Sequence, residues 1–379
     1  MNSKERVRAA IARQPVDRVP LGFYAVDHDI IERVIGRPTL IRNKIETQIA
    51  IWEGRRDELA ESYKQDSVAF YRNIDCADLI LFKEAPLLPP TDYEPDPPKK
   101  IGDDMWEDRH GRVWQADRHA NDIMCFNKPA AHPKTTSVDD FPIPESVQPP
   151  SPSIFEAFDH LLRELGDERY ICGPMHAAPM PMLGSFEDAM IIYATQPEVI
   201  HAANRRNVAV QRQLDQYYCR PGMAGAHGGQ DMAGTNGPFI SPAMWREMCL
   251  PTLKQRIQDI KQHVDQVNFH GCGRTIDLMD MIAEAGVDCY QSLQTTAGME
   301  IGMLKERFGD RMAFWGGVAM ETLITGTPET VRQDVRTAME RGAPGGGFIL
   351  GPSHSVAKNT KYENFMAMLD EFVKLRDKY

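Results

Sequence analysis

The 379-residue sequence lacks long apolar segments. No stretch approaches the ~20 consecutive apolar residues that cross a bilayer. The first residues carry scattered charges and no apolar centre like that of a signal peptide. Positive charge is also scarce, because the sequence has 43 Lys and Arg but 54 Asp and Glu, which gives a formal net charge of −11. We therefore expect a cytoplasmic protein that binds neither membranes nor nucleic acids.

Paired cysteines are also lacking. The seven cysteines are odd in number, widely spaced and without a CxxC pair. In a reducing compartment such a set is not a disulfide framework, and most of its members are expected to be small buried hydrophobic residues. A cysteine therefore needs a suitable neighbour in sequence before any chemistry is assigned to it.

Nucleotide-binding loops are missing as well, since neither a GxGxxG nor a Walker motif follows a predicted strand. The sequence does contain a regular alternation of amphipathic helices and short apolar runs. A helix, for example, begins at Thr327-Pro328 and ends at Gly342. Alternation predicts a parallel sheet, and about eight strands favour a closed (β/α)8 TIM barrel over an open doubly wound sheet. The strands are predicted at 19–24, 77–82, 169–173, 223–228, 266–270, 287–290, 313–318 and 347–350.

A proline-rich region interrupts this pattern. Residues 86–100 and 142–152 contain too many prolines for a helix or a central strand. Between them the segment MWEDRHGRVW predicts a hairpin around His110-Gly111. We predict one domain over residues 1–379, with an N-terminal extension and with 86–152 as an insertion packed over the barrel mouth.

The segment QVNFHGCG places His270 and Cys272 two residues apart at the end of an apolar strand. Strand side chains alternate, so both point to the same side, which at a barrel strand's carboxyl end can face the active-site mouth. Histidine and cysteine are common zinc ligands, and catalytic zinc has three protein ligands and one open position. The pair alone fits equally a core cysteine beside a hydrogen-bonded histidine.

A third ligand is available in the loop that follows the last predicted strand. His354 lies there, in the segment GPSH, and in an eight-stranded barrel it can reach across the mouth toward His270. We therefore predict a zinc site formed by His270, Cys272 and His354.

Three further residues follow predicted strand ends and are predicted as catalytic candidates. Gln230 and Asp231 are placed to meet a polar group of a substrate or to orient a ligand, although Asp231 fits a turn with Gly234 equally well. His176, in CGPMHAAPM, is predicted to line the pocket, although a lone histidine also fits a structural role.

Three segments, in order, resemble the uroporphyrinogen decarboxylase superfamily along almost the whole chain. They are SKERVRAAIARQPVDRVP, DMAGTNGPFISPAMWREMCLPTLKQ, and the closing run from FWGGV to GGGFILGPSHSVAKNTKYENFMAML. The resemblance implies a TIM barrel and one of two branches: metal-free decarboxylases, or corrinoid-linked methyltransferases whose zinc is held by an HxC strand motif and a third ligand after the last strand. In the thiol-methylating members that third ligand is typically cysteine, and His354 stands at its position.

The decarboxylase branch fits this sequence poorly. Its arginine-rich MRQAGR segment corresponds here to GFYAVDHDIIERVIG, which contains no arginine pair. A porphyrinogen with many carboxylates would then lack guanidinium partners. Asp78, in ADLILF, does resemble the aspartate of the decarboxylase SDILV element, although an aspartate at a strand end can also cap a loop.

The ligand set favours one direction of chemistry. Two neutral imidazoles and one thiolate leave a zinc site at +1, whereas two thiolates and one imidazole leave it neutral, and the more positive site is the better Lewis acid toward oxygen. We predict methyl transfer from a small methoxylated substrate, such as a methoxyarene, to the cobalt of a corrinoid protein, through a mostly apolar pocket. The corrinoid comes from a partner, because the chain has no DxHxxG element.

Two alternatives remain open at this point: a methylcorrinoid:thiol methyltransferase, and a metal-free decarboxylase that uses Asp78. A homodimer is compatible with the sequence, which does not determine the oligomeric state.

Overall fold

The computed structural model describes residues 1–83, 88–126 and 136–379. In chain order its strands are β1 (Gly22–Phe23), β2 (Leu79–Leu81), β3 (Lys99–Gly102), β4 (Met105–Glu107), β5 (Val113–Asp117), β6 (Asp122–Cys125), β7 (Tyr170–Pro174), β8 (Gly225–Gly229), β9 (Ala233–Gly234), β10 (Gly237–Pro238), β11 (Val267–His270), β12 (Cys289–Gln291), β13 (Ala313–Val318) and β14 (Phe348–Pro352).

The helices surround these strands, as expected for strand–helix alternation. They are α1 (Ser3–Ile11), α2 (His28–Ile35), α3 (Lys44–Trp52), α4 (Arg56–Asn73), α5 (Glu156–Leu165), α6 (Phe186–Thr195), α7 (Pro197–Tyr218), α8 (Pro242–Met248), α9 (Leu250–Ile260), α10 (Met279–Glu284), α11 (Ile301–Phe308), α12 (Met320–Thr325), α13 (Pro328–Gly342) and α14 (Tyr362–Leu375). Within the described ranges, no helix has both the length and the apolarity that a membrane crossing requires.

Eight parallel strands form the barrel, in the order β1-β2-β7-β8-β11-β12-β13-β14. The first and last strands meet through parallel bridges that pair Leu21 with Leu350 and Val26 with Val356. The predicted TIM barrel is therefore confirmed. The first strand is shorter than predicted, and the segment that follows α2 forms two helices, α3 and α4. They are separated near Gly54, whose positive φ of 72° is unfavourable for other residues and interrupts a helix.

The barrel interior is filled from below by helix α1. Its buried Val7 and Ile11 join a cluster with inward-facing strand residues such as Leu79, Leu81 and Trp315. Asn2 caps this helix by accepting a hydrogen bond from the Glu5 N–H. The first turns of the chain thus close the amino end of the barrel, which leaves the carboxyl ends of the strands as the open mouth.

A separate antiparallel sheet, β3-β4-β5-β6, lies in the predicted insertion. The predicted hairpin is confirmed, with Trp106 opposite Trp114. The loop between β5 and β6 contacts the segment after β14, where the Asn359 side chain donates to the His119 carbonyl at 3.2 Å. These contacts place the sheet beside the barrel mouth. Residues 86–87 and 127–135 of the predicted insertion lie outside the described residues.

Asp78 lies at the opposite end of the barrel. It precedes β2 and accepts hydrogen bonds from the Ser3 hydroxyl (2.7 Å), the Arg6 guanidinium (2.6 Å) and the Leu21 N–H (3.2 Å). Active sites of TIM barrels lie at the carboxyl ends of the strands. The alternative in which Asp78 is the catalytic carboxylate is therefore wrong, because the strand begins after this residue. Lys83 lies two residues beyond the carboxyl end of β2.

We expect Asp78→Ala to destabilise the barrel by about 3 kcal/mol, because removing one partner of a buried ion pair leaves the other charge buried without that partner. The Asp78 and Arg6 side chains are only 1% and 4% exposed. Urea unfolding measures the effect. Asp17→Ala is the matched control, since Asp17 pairs with the same Arg6 but is 41% exposed. A normally stable but inactive Asp78→Ala protein would restore the catalytic role of Asp78.

Candidate metal centre and substrate cavity

Three potential metal ligands converge at the barrel mouth. His270 ends β11, and the Cys272 sulfur lies 3.2 Å from its Nε2 atom. His354 follows β14 by two residues, and its ring centroid is 5.7 Å from that of His270. The ligand atoms of the three side chains all lie within 4.8 Å of one another. The predicted triad is thus assembled from two strands that are far apart in the sequence.

The orientation of His270 is set by its neighbours. Its Nδ1 atom hydrogen-bonds the Gln291 side-chain oxygen, so that Nδ1 carries the proton and Nε2 is directed to the other ligands. The ring of Tyr24 stacks on that of His270, with centroids 4.2 Å apart and planes at 7°. On the neighbouring strand, a Cβ at Gly229 would lie 2.4 Å from the His270 carbonyl oxygen, so this close approach requires glycine.

Cys272 lies in a partly buried environment that favours the neutral thiol. Burial raises the pKa of Cys272 to about 12. Its sulfur lies 3.3 Å from the hydroxyl of Ser292, and its backbone N–H donates to the Asp231 carboxylate at 3.1 Å. Ser292 has a positive φ of 83°, an unfavourable conformation for this residue type that is often found at functional sites. A metal that binds Cys272 must displace its proton.

His354 is positioned through the residue before it. The Ser353 N–H donates to the Val318 carbonyl at 2.7 Å, and the Ser353 hydroxyl accepts from the Met320 N–H at 3.1 Å. Burial lowers the pKa of His354 to about 4. The imidazole is therefore neutral near pH 7, as a metal ligand must be.

The donor set fits zinc. Two imidazole nitrogens and one cysteine sulfur are ligands that Zn²⁺ prefers, and three protein ligands leave the open position of a catalytic site. The separations among the ligand atoms, all within 4.8 Å, need only a small contraction to surround one ion with bonds of about 2.0–2.3 Å. Gln291 supplies the hydrogen bond that a metal-binding histidine normally makes through its other nitrogen.

A cavity of about 510 Å³ opens beside these ligands. Its lining includes His270 and His354 and three basic side chains, Arg42, Lys44 and Lys83. Asp231 is the one acidic side chain among the described lining residues. The prediction of a mostly apolar pocket is therefore wrong. The sequence did not reveal this, because the basic residues follow β1 and β2, far along the chain from the ligands.

Residues 125–375 match the protein-family model described as uroporphyrinogen decarboxylase (URO-D). This match spans more than half of the chain. The chain belongs to the URO-D family. A uroporphyrinogen decarboxylase from Methylococcus capsulatus is 33% identical over 92 residues, which are 24% of this chain and 25% of that protein. A methyltransferase from Methanosarcina mazei has the same fold, with a TM-score of 0.64 and 16% identity over 99% of each chain.

Among the predicted catalytic residues of this URO-D family member, Asp231 lies closest to the ligands. Its carboxylate is 3.5 Å from the His270 Nε2 atom. Its contact with the His270 side chain and the hydrogen bond from the Cys272 N–H hold the pKa of Asp231 well below its usual range. Asp231 therefore stays ionised beside the metal ligands, where it holds the Cys272 N–H. The role of Asp231 in orienting a ligand stays a prediction.

The other two candidates are placed differently. The Gln230 side chain forms two hydrogen bonds with the backbone of Met180, at 2.9 and 2.5 Å, so it holds a loop at the cavity rim. His176 is exposed and is not among the cavity-lining residues, so its predicted place in the pocket is wrong. The chain turns after β7, so that Met175 lines the cavity, while the His176 carbonyl accepts from Arg256 at 3.0 Å.

Sequence reasoning missed several residues of this URO-D family site. Gln291 ends β12, the strand next to β11, and Ser292 follows it directly. Lys83 follows β2. His227 lies within β8 and faces the cavity. All four are polar residues near the carboxyl ends of predicted strands, and in a TIM barrel this position by itself indicates a site residue.

Cys272→Ala is expected to reduce zinc retention from about one ion per chain to a small fraction, because two imidazoles alone bind zinc weakly. Thermal unfolding should be nearly unchanged, since the mouth contributes little to the core beneath it. Elemental analysis after dialysis measures the loss. Cys219→Ala is the matched control, because this partly buried cysteine contacts Met175 and lies outside the triad. Full zinc content in Cys272→Ala would show that Cys272 is not a ligand.

Zinc affinity should rise about tenfold per pH unit from about pH 6 to about pH 8, because each bound ion displaces one thiol proton. The sign follows from the raised pKa of Cys272, which keeps the thiol protonated throughout this window. His354, with a lowered pKa of about 4, is already neutral and adds no slope. Competition with a chelator measures the slope. In Cys272→Asp the slope should fall toward zero, and an unchanged slope would contradict the assignment.

Proposed function

We propose that this protein is a zinc-dependent methyltransferase that moves a methyl group from a small methoxylated substrate to the cobalt of a corrinoid protein. The observation that carries the proposal is the convergence of His270, Cys272 and His354 at the mouth of the barrel, beside a cavity large enough for a small molecule. Membership of the URO-D family supports it, and so does the shared fold with a Methanosarcina mazei methyltransferase.

The surroundings of the three ligands favour the protonation states in which they would hold the metal. His354 is neutral because burial lowers its pKa, and the proton of His270 is held at Nδ1 by Gln291. Cys272 would bind as the thiolate, so the site carries a charge of about +1. When bound, zinc would supply a Lewis acid that polarises an ether oxygen of the substrate.

The residues around the triad keep it ready to act. Asp231 is ionised and fixes the Cys272 backbone by accepting its N–H. Gln291 and the stacked ring of Tyr24 hold the His270 ring in one orientation. A site held in advance of binding loses less free energy to reorganisation during the reaction.

The chemistry of the transfer is a displacement at the methyl carbon. A corrinoid carried by the partner protein would supply the nucleophile that accepts the methyl group, and the electron pair of the broken carbon–oxygen bond would stay with the oxygen. The basic side chains Arg42, Lys44 and Lys83 in the cavity lining favour the negative charge that develops on this oxygen. The corrinoid is supplied by a separate protein, which must reach the barrel mouth.

The test is to incubate the zinc-loaded protein anaerobically with a reduced corrinoid protein from the same organism. Methoxyarenes, methanol, methylamines and a thiol are offered separately, and the absorption spectrum of the corrinoid reports methylation. Methylation from the methoxylated compounds alone is the expected result.

The matched variant is His354→Cys, which keeps three zinc ligands but lowers the charge of the site by one. It should retain zinc and lose most O-demethylation, because a neutral site polarises oxygen less. Methyl transfer from methylamines alone would contradict the oxygen mechanism, and faster methylation of a thiol would favour the alternative of a thiol methyltransferase. Release of carbon dioxide from uroporphyrinogen would contradict methyl transfer altogether.

A further inference from the structure

His227 is a buried polar side chain in the cavity wall that the proposed reaction does not use. It lies on β8 and is 5% exposed. Neither of its ring nitrogens has a hydrogen-bond partner among the described residues. Its ring packs edge-on against Trp315, with centroids 5.9 Å apart, and lies 5.5 Å from the ring of Tyr24. It also lines the cavity that holds His270 and His354.

Burying such a ring without a partner is unfavourable for folding, because two polar atoms lose their hydrogen bonds to water. An apolar side chain of similar size would fill the same space without this cost. Burial lowers the pKa of His227 well below its usual value, and the positive charge of Lys83 contributes. The neutral ring therefore offers one N–H donor and one acceptor nitrogen to a molecule in the cavity.

Lys83 provides a positive charge in the same part of the cavity. Its ammonium donates to the Tyr24 hydroxyl at 2.6 Å and lies 4.1 Å from the centroid of the Tyr24 ring. It is close enough to His227 and His354 to contribute to the lowered pKa of each. An ammonium has three N–H donors, so a bond to Tyr24 is compatible with a further bond to a ligand.

We propose that the substrate carries an acidic group, such as a carboxylate, in addition to its methyl group, and that Lys83 and His227 hold this acidic group. The inference rests on the proposed function, because it concerns the same cavity. Lys83 pairs with the negative charge and the His227 N–H donates to it, both as charge-assisted hydrogen bonds. Asp231 does not compete for this position, because its carboxylate already contacts His270 and the Cys272 N–H.

Tyr24 connects the acid-binding pair to the metal ligands. Its ring stacks on His270, and its hydroxyl accepts from Lys83. The acidic group and the methyl-bearing oxygen would therefore lie about one aromatic ring apart, across the face of Tyr24. This arrangement favours compact acids and holds the methyl group toward the ligands, since an anchored group orients the rest of a small molecule.

The experiment compares matched pairs of acids and amides that share one methoxylated skeleton. The pairs are methoxyacetate with methoxyacetamide, 3-methoxypropionate with 3-methoxypropionamide, and 3-methoxybenzoate with 3-methoxybenzamide. Calorimetry measures their binding to the zinc-loaded protein. At least one acid should bind about tenfold or more tightly than its amide, as expected for one charge-assisted hydrogen bond.

Three variants assign the contacts. Lys83→Gln should remove the preference for the acid, whereas Lys254→Gln, on the exposed side of helix α9, should keep it. His227→Phe, which retains a ring but no nitrogen, should weaken binding of the acid about tenfold, as expected for a lost hydrogen bond to a charged group. The zinc content of this variant and its midpoint temperature of thermal unfolding should not fall. His227→Leu serves the same purpose if the larger ring prevents folding.

The outcomes separate this inference from the proposed function. If no acid is preferred over its amide in any pair, or if Lys83→Gln and both His227 variants keep the preference and affinity, the inference is overturned, whether or not methyl transfer occurs. If an acid binds through Lys83 and His227 but no methyl group reaches the corrinoid protein, the acid site stands and the proposed function fails.

Discussion

The closure of the barrel between β1 and β14 is the constraint on which the site depends. The Leu350 N–H donates to the Pro20 carbonyl at 2.9 Å, and a Cβ at Gly351 would lie 2.4 Å from the Gly22 carbonyl oxygen. This contact is possible because Gly351 has no side chain. It brings the end of β14, with the following His354, to the same mouth as the end of β11. If the ring of strands were not closed, His354 would not lie opposite the other two candidate ligands.

The two ends of the barrel have different physical roles. At the amino end, Asp78 and Arg6 form a buried ion pair with further hydrogen bonds. The apolar side chains of helix α1 fill the barrel interior at this end. At the mouth, unfavourable features accumulate: the unpartnered nitrogens of His227 within the described chain, and the positive φ of Ser292. Proteins retain such costs where binding or catalysis uses them, and the well-packed base supplies the stability that offsets them.

In the proposed function, charge in the cavity would link metal binding to substrate choice. Burial keeps His227 and His354 neutral, while Lys83 adds positive charge beside both rings. Asp231 remains ionised through its contact with His270 and acts on the ligands rather than on the basic side of the cavity. The result is a small polar chamber whose positive field suits an anionic group and the developing charge on a leaving oxygen. An uncharged, oily pocket would offer neither effect.

Local chemistry in the sequence determined much of the outcome. Thr327 caps helix α13, and Pro328 follows it at the first helical position. The two-residue spacing of His270 and Cys272 puts both side chains on one side of the chain. The sequence predicted both features because each depends on neighbouring residues alone. Strand–helix alternation likewise predicted the barrel.

Tertiary structure decided the rest. Whether Asp78 lies at the base or the mouth depends on where the strand begins, and the turn after β7 moves His176 out of the cavity. Lys83 and His227 line one cavity only because β2 and β8, which are distant in sequence, lie on either side of β7 in the ring, a proximity that no local pattern encodes.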